Sequence, residues 1–207
     1  MPGLFITFEG PEGSGKTSQA SRLVEFLREH RERVRLTREP GGTHLGEQLR
    51  SVVLADTPGD RKIVPLAEAL LFNAARAQLV AEVIRPALDA AEIVVCDRFA
   101  DSTLAYQGYG SGVPITDLMA IADAATGGLI PDLTILLDLP PEVGLARKPD
   151  DARNRFEVSF DLEFHRRVRD GFLDLARRDP GRWAVIDATR PSEDVFVDVR
   201  GVVADWV

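Results

Sequence analysis

The chain has 207 residues and a formal net charge of −8 at pH 7, which excludes the broadly basic surface that binds duplex DNA or anionic lipid. Its single cysteine, Cys96, excludes an intrachain disulfide framework and favours a reducing compartment. No apolar run is long enough to span a membrane, and a glycine-rich loop begins too near Met1 for a signal peptide. We therefore expect a soluble cytoplasmic protein whose partners are small molecules, with no nucleic acid and no membrane among them. The three histidines lack metal-ligand spacing and are expected at the surface or in loops.

Apolar runs separated by turn residues predict strands over residues 4–8, 34–37, 93–96, 133–139 and 184–187. Helices are predicted after the glycine-rich loop and at 46–54, 65 to about 90, 116–126, 142–147 and 159–178. Pro86 should bend the long helix near its end, and Ser192 should cap a final helix. The alternation predicts an α/β fold: a three-layer, doubly wound sheet of five parallel strands in a single domain over 1–207. Ligands should bind at the carboxyl ends of the strands.

The glycine-rich loop over residues 10–17 fits the phosphate-binding pattern G-x-x-x-x-G-K-S/T, and it lies between the first predicted strand and helix. Glycines let successive N–H groups face one concavity, to which the helix N-terminus adds partial positive charge. An accidental glycine-rich turn is the alternative, but the strand and helix on either side argue against it. The pattern predicts a nucleoside triphosphate site made of Gly10, Pro11, Glu12, Gly13, Ser14, Gly15, Lys16 and Thr17.

Three residues predict how the triphosphate and its metal are held. Lys16 should reach the β- and γ-phosphates, and the Thr17 hydroxyl should ligate Mg²⁺. Asp97 ends an apolar strand, where the second carboxylate of such sites holds Mg²⁺ directly or through water. The alternative for Asp97 is an ordinary turn residue at a strand end.

Phosphoryl transfer also needs cations around the moving group, and the variable positions of the loop carry none. A polar stretch farther along predicts a small lid segment at about 147–158, with Arg147, Arg153 and Arg155 on or beside it. Closure of this segment could bring one of them to the triphosphate and exclude water. For each arginine taken singly, a solvated surface charge is the alternative.

Phe72 and Arg76 lie four residues apart and therefore on one face of the long helix. An aromatic ring beside a guanidinium could stack a base and grip its phosphate. A core phenylalanine next to a surface arginine is the alternative.

Taken together, these stretches resemble the bacterial thymidylate kinase family over residues 5 to about 176. The resemblance is carried by Phe8-Glu9-Gly10, the glycine loop, the T-R-E-P-G-G-T run at 37–43, residues 70–78, Asp97-Arg98-Phe99, the S-T-x-A-Y-Q-G run at 102–108 and Arg155-Phe156-Glu157. It implies ATP- and Mg²⁺-dependent phosphorylation of dTMP to dTDP by a homodimer. Such a transfer demands no general base, because the accepting phosphate oxygen is already ionised.

The same resemblance assigns roles to residues on the acceptor side. It implies that Phe72 stacks on thymine, that Arg76, Arg98 and Arg50 surround the acceptor phosphate, and that Thr103 and Gln107 face the base. Tyr106 would crowd the 2′ position of the sugar, and Glu9 would lie near the acceptor and the metal. Arg155 matches the lid motif best, and the substrate set also includes Arg38 and Ser102.

This sequence departs from the family pattern at three places. Ala75 replaces an aspartate and so removes a possible partner of Arg76, Asn154 replaces an aspartate before Arg155, and the loop between Arg147 and Arg155 is short. The last two leave open which lid arginine reaches the triphosphate.

Three other functions remain to be weighed. A GTPase is suggested by Val52 to Gly59, which resembles a strand followed by D-x-x-G, but the guanine-reading N-K-x-D is missing. A nucleotide-binding regulator without turnover would not need the acceptor-side arginines. A kinase for another nucleoside monophosphate is the third, because a stacking ring alone does not reject uracil.

Overall fold

The structure of the chain is a computed structural model that describes residues 3–30, 32–55, 63–147, 156 and 160–207. Within these ranges five strands form one parallel sheet in the order β2-β3-β1-β4-β5. The strands are β1 (Leu4–Glu9), β2 (Val34–Arg38), β3 (Ile93–Asp97), β4 (Leu133–Asp138) and β5 (Trp183–Asp187). All five predicted strands and their parallel arrangement are confirmed.

Helices cover both faces of the sheet. In the described residues they are α1 (Lys16–Glu29), α2 (His44–Leu54), α3 (Pro65–Leu79), α4 (Arg85–Asp89), α5 (Ala100–Thr103), α6 (Ile115–Thr126), α7 (Pro141–Arg147), α8 (Leu162–Arg178) and α9 (Ser192–Val203). All of these except α5 match a predicted segment. In β1, Ile6 and Phe8 pack with α1 and α9, whereas Phe5 packs with α3 and α4 on the opposite face. Successive side chains of a strand alternate between faces, so the sheet is buried on both, as a doubly wound fold requires.

Within the described ranges, two stretches are π-helical. Val80–Ile84 joins α3 to α4 and ends two residues before Pro86, which cannot donate a helical hydrogen bond, so the long helix widens where only a bend is predicted. Leu104–Gly110 continues α5, and the sequence pattern did not indicate this helical stretch because glycines interrupt its periodicity. It carries Tyr106 and Gln107 into the site.

Two smaller predictions are wrong. Ser192 does not cap the last helix: it is the first helical residue, after Pro191, and its hydroxyl accepts a hydrogen bond from Nε2 of Gln19 at 3.1 Å, which ties α9 to α1. His165 is buried in α8, not exposed, because it lies on the apolar face of that helix. Within the described ranges, no helix is both long and apolar enough to cross a bilayer.

Candidate active site

The loop between β1 and α1 has the shape that the phosphate pattern predicts. Gly13 has a φ of +72°, and a Cβ there would come within 2.0 Å of the Gly144 carbonyl oxygen on α7. Gly15 has a φ of +89° and is the N-cap residue of α1, but it has no side chain that could bond the first N–H groups of the helix. The first N–H groups of α1 therefore stay available to an anion.

Lys16 lies inside this loop and is almost fully buried. Its Nζ donates to the Pro11 carbonyl at 2.7 Å and to the Ser14 hydroxyl at 3.1 Å. Burial, and then the positive charge of Arg98, lower the pKa of Lys16 to about 8. A bound phosphate would favour the charged lysine, so the site is electrostatically complementary to an anion.

Thr17 and Asp97 meet where the loop passes the end of β3. The Thr17 hydroxyl donates to Oδ2 of Asp97. Oδ1 of Asp97 is buried and has no hydrogen-bond partner among the described residues. A hydroxyl and an unsatisfied carboxylate oxygen are ligands that suit Mg²⁺, which binds oxygen and keeps several water or phosphate ligands. The same ranges hold no cluster of three His, Cys, Asp or Glu side chains that could enclose a metal by itself.

A cavity of about 480 Å³ opens beside the loop, within the usual size of a small-molecule site. It brings most predicted residues together: Glu12, Gly13, Gly15, Lys16, Thr17, Arg38, Arg50, Phe72, Arg76, Asp97, Arg98, Ser102, Thr103, Tyr106, Gln107 and Arg147 line it. Gly10, Pro11 and Ser14 belong to the loop without lining the cavity, and Glu9 lies behind it. Arg153 and Arg155 fall outside the described residues, as does most of the predicted lid segment.

Arg98 lies between the loop and the acceptor side. Its Nη2 donates to Oε1 of Glu12 at 2.7 Å and to the Tyr106 hydroxyl at 3.2 Å, while Nη1 donates to Ser102 Oγ at 3.2 Å. Tyr106 in turn donates to Oε1 of Glu12 at 2.9 Å. Arg98 has a φ of +71°, a costly conformation for a residue other than glycine. The surrounding hydrogen bonds hold it there, so the guanidinium is fixed before any ligand arrives.

Arg50 and Arg38 line the cavity on the side of the T-R-E-P-G-G-T run. Arg50 donates from Nη1 to the Pro40 carbonyl at 2.8 Å. Burial, and then the positive charge of Arg38, lower the pKa of Arg50, whereas Glu47 neutralises part of the charge of Arg38 at 3.1 Å. Cations held close to each other in a half-buried recess favour an anionic ligand.

Arg76 is 1% exposed, and most of its donors are occupied. Nε donates to Oε2 of Glu39 at 2.9 Å, Nη1 to Asn73 Oδ1 at 2.7 Å, and Nη2 to the Phe99 carbonyl and the Thr103 hydroxyl. Glu39 is the carboxylate partner that Ala75 cannot supply. These bonds leave one N–H of Nη1 uncommitted. Arg76 can therefore give a ligand a single hydrogen bond but not a bidentate pair.

Glu9 is completely buried under α5. Its Oε1 accepts from the backbone N–H of Phe99 at 2.8 Å, and Oε2 bonds the Ser102 hydroxyl at 2.6 Å. Burial, and then the negative charge of Asp101, raise the pKa of Glu9 to about 8. Glu9 therefore fixes the start of the helical stretch that carries the acceptor-side residues.

Glu9→Gln should change how stability depends on pH. Between the ordinary glutamate pKa of 4.5 and the raised value of about 8, unfolded Glu9 loses its proton while folded Glu9 keeps it. The free energy of unfolding of the wild type therefore falls as pH rises through this window, by up to about 1.4 kcal/mol per pH unit from this group. The neutral glutamine lacks this loss, so the variant should gain stability relative to the wild type with rising pH. Urea unfolding of both proteins across the window measures the difference, and a pH-independent difference would contradict the assignment.

Arg147 is the one predicted lid arginine within the described residues. Its Nη1 donates to the Ala188 carbonyl at 2.9 Å and its Nη2 to the Thr189 carbonyl at 3.2 Å. These contacts hold the end of α7 against the segment that follows β5, beside Gly13 of the loop.

Sequence reasoning missed three residues of the site: Asn73, Glu68 and Phe156. Asn73 bonds Arg76, Glu68 bonds Gln107, and Phe156 lies against the rings of Phe72 and Tyr106, with centroids 6.3 and 5.6 Å away. Glu39 directly follows β2, where polar residues are expected to line the site, but its bond to Arg76 was not predicted. A signal existed for Glu68, because it lies four residues before Phe72 on the same face of α3, where a charged residue needs a partner.

A family model described as thymidylate kinase matches residues 8–199. The chain belongs to the thymidylate kinase family. A thymidylate kinase of Deinococcus radiodurans is 52% identical over 204 residues, covering 98% of this chain and 97% of that protein. A thymidylate kinase of Thermomicrobium roseum is 53% identical over 202 residues, covering 97% and 94%.

A solved structure agrees with the thymidylate kinase fold. The crystal structure of thymidylate kinase from Ehrlichia chaffeensis superimposes with a TM-score of 0.78 at 38% sequence identity, covering 98% of this chain and 99% of that one. The GTPase alternative loses its strand, because Val52 to Leu54 end helix α2, while residues 56–59 fall outside the described ranges.

Proposed function

We propose that this chain transfers the γ-phosphoryl group of ATP to dTMP, giving dTDP and ADP for dTTP synthesis. The observation that supports this proposal is that a single cavity joins the phosphate loop to an arginine-lined recess with an aromatic ring. A protein that only hydrolysed ATP would have no use for the second half. Membership of the thymidylate kinase family points to dTMP as the acceptor.

The mechanism we propose is positioning combined with charge stabilisation. The loop and Lys16 hold the triphosphate of ATP, and Arg98 and Arg50 hold the acceptor phosphate in line with it. Arg98 is suited to this role because its contacts hold it between the two halves, and because its side chain is 18% exposed, against 1% for Arg76, so that a phosphate can replace some of the partners of its Nη1 and Nη2 groups. Holding both reactants in one geometry, with cations at the developing charge, supplies most of the rate enhancement in such reactions.

The end of the cavity away from the phosphate loop is proposed to hold the base and sugar of dTMP. We propose that Phe72 stacks on thymine, that Thr103 and Gln107 face the base, and that Tyr106 excludes a ribose 2′-hydroxyl. Arg76 is proposed to complete this wall and to offer its remaining N–H, because its other donors are bonded within the protein. Ser102 and Arg38 act through their bonds to Arg98 and Glu47.

We propose that Mg²⁺ is held with ATP by Thr17 and Asp97. The unsatisfied Oδ1 of Asp97 supports this assignment. The ion would neutralise charge on the β- and γ-phosphate oxygens. Arg155 remains the proposed lid arginine and Arg153 a second candidate, with Arg147 holding the base of the segment.

One assay tests the proposed function. Purified protein with ATP and Mg²⁺ is offered dTMP, dUMP, dCMP, dAMP and dGMP in turn, and diphosphate products are separated by chromatography. We expect dTDP to form fastest. ATP hydrolysis at the same rate with and without dTMP, and no dTDP, would exclude the kinase. A faster rate with another monophosphate would favour the alternative function, a kinase for that nucleotide.

We also propose a homodimer in the cytoplasm. Neighbouring helices α2, α3 and α6 expose large apolar side chains, among them Val52, Leu66, Leu70 and Met119, each about half exposed. Such a patch is typical of an interface. In sedimentation experiments we expect twice the mass of the 22.7 kDa chain, and the monomer for a Leu66→Asp, Leu70→Asp variant. Val197→Asp, on α9 at the opposite face of the sheet, is the matched control and should stay dimeric.

A further inference from the structure

Glu68 is a buried carboxylate next to the acceptor cavity. It lies in α3 one turn before Phe72 and is 2% exposed. Its Oε2 accepts a hydrogen bond of 2.6 Å from Nε2 of Gln107, which is itself 1% exposed and lines the cavity. A glutamate is rarely buried to this degree unless its carboxylate is hydrogen-bonded or paired with a charge.

The chemistry of this bond fixes the orientation of the Gln107 side chain. A carboxylate only accepts hydrogen bonds, so the group of Gln107 that faces Glu68 must be the amide NH₂. The amide nitrogen and oxygen lie on opposite sides of the same carbon, so Oε1 is turned away from Glu68. In the part of the chain that the structure describes, no donor bonds this oxygen. A flipped amide would set two acceptors 2.6 Å apart in a buried site, which is strongly unfavourable.

We infer that Glu68 is a positioning residue that fixes Gln107 so that the base site presents a hydrogen-bond acceptor, and that it thereby selects pyrimidines with a ring N–H. Thymine and uracil carry this N–H at N3, whereas cytosine has a bare acceptor nitrogen there. The inference rests on the proposed function, in which the base occupies this end of the cavity. To that function it adds Glu68 as the residue that determines which base the site recognises.

The expected discrimination is large because a mismatch leaves buried polar groups unpaired. A site built around a hydrogen bond rejects a ligand that cannot make it far better than an apolar pocket rejects a small change in size. Cytosine would turn an acceptor toward Oε1 of Gln107, and neither group could rotate to help while Glu68 holds the amide.

Glu68→Gln removes this control with almost no change of shape. An amide can accept from or donate to its neighbour, so Gln107 becomes free to present either end. We expect the ratio of the dissociation constants of dCMP and dTMP, measured by calorimetry without ATP, to fall about tenfold or more. The KM for dTMP should rise about tenfold, whereas kcat should change less than about threefold, since the reacting phosphate is held elsewhere.

A double-mutant cycle separates positioning from a general structural role. In a Gln107→Met background, adding Glu68→Gln should leave the dCMP-to-dTMP ratio unchanged, because the residue through which Glu68 acts is gone. Thermal unfolding is followed for every variant. If Glu68→Gln fails to fold, Glu68→Asp replaces it, because the carboxylate drawn back by one methylene also releases Gln107 and should lower the ratio.

The outcomes are distinguishable. An unchanged ratio in a folded Glu68→Gln variant would overturn this inference, and so would an equal effect of Glu68→Gln with and without Gln107→Met. Because the ratio is an equilibrium measurement, a wild type that binds dTMP without forming dTDP would overturn the proposed function alone.

Discussion

Replacing Lys16 with alanine is expected to lower kcat for dTMP phosphorylation roughly a thousandfold, the upper range for losing one stabilising group at a developing charge. Lys16 is the one basic side chain supplied by the phosphate loop, and its Nζ is held within the loop by Pro11 and Ser14. In the proposed complex with ATP, phosphate oxygens would replace these partners. The methyl group of alanine cannot stabilise the negative charge on the phosphoryl group during transfer, so the loss should appear mainly in kcat.

The measurement is a steady-state assay with dTMP and Mg²⁺-ATP, combined with thermal unfolding. The matched control is Arg166→Ala, which removes a cation from an exposed pair with Glu142 and should leave kcat unchanged. Lys16→Ala should stay folded, because a buried cation is replaced by a small neutral group. Activity within tenfold of the wild type would show that the charge comes from elsewhere.

Arg98→Ala is expected to lower kcat/KM for dTMP by about 10²- to 10³-fold. This guanidinium bonds Glu12, Ser102 and Tyr106, so its loss removes the proposed partner of the acceptor phosphate and also loosens the wall between the two halves of the cavity. Glu12 and Tyr106 would keep their bond to each other, and the fold should survive. The effect should be specific to the acceptor, with the dissociation constant of ATP changed by less than about threefold.

Arg98→Lys separates charge from geometry. Lysine keeps the positive charge but cannot bond several partners with a rigid planar group, so we expect it to recover only part of the lost kcat/KM. Calorimetry with ATP alone and with dTMP alone tests the separation of the two ligands. An Arg98→Ala variant with normal kcat/KM for dTMP would contradict the acceptor assignment.

The parts of the site that sequence could predict are those formed by neighbours in the chain. Strand, glycine loop and helix follow one another, so Lys16 and Thr17 could be assigned from a pattern, and Asp97 from its place at a strand end. Phe72 and Arg76 share a helix face for the same local reason. The comparisons confirm the family and the fold that these motifs indicated.

What could not be predicted depends on contacts between distant segments. Arg76 meets Glu39 across 37 positions and Gln107 meets Glu68 across 39, and no local pattern encodes either pairing. The family resemblance assigns Arg76 to the acceptor phosphate, whereas the structure commits most of its donors to the protein. His165 was expected at the surface because its helix was identified without knowledge of what packs against it. The helical stretch at 104–110 was hidden by its glycines.

The bridge from Glu12 to Arg98 and Tyr106 has a consequence for how the loop can evolve. The phosphate pattern leaves position 12 open, as if any residue served there, yet in this chain the side chain at that position supports the recess for the other substrate. A loop taken from an unrelated nucleotide-binding protein could match every conserved position of the motif and still lose the contacts of Glu12 with Arg98 and Tyr106. In this chain the loop and the acceptor recess are therefore coupled, and a change at position 12 of the loop would be expected to alter recognition of both substrates.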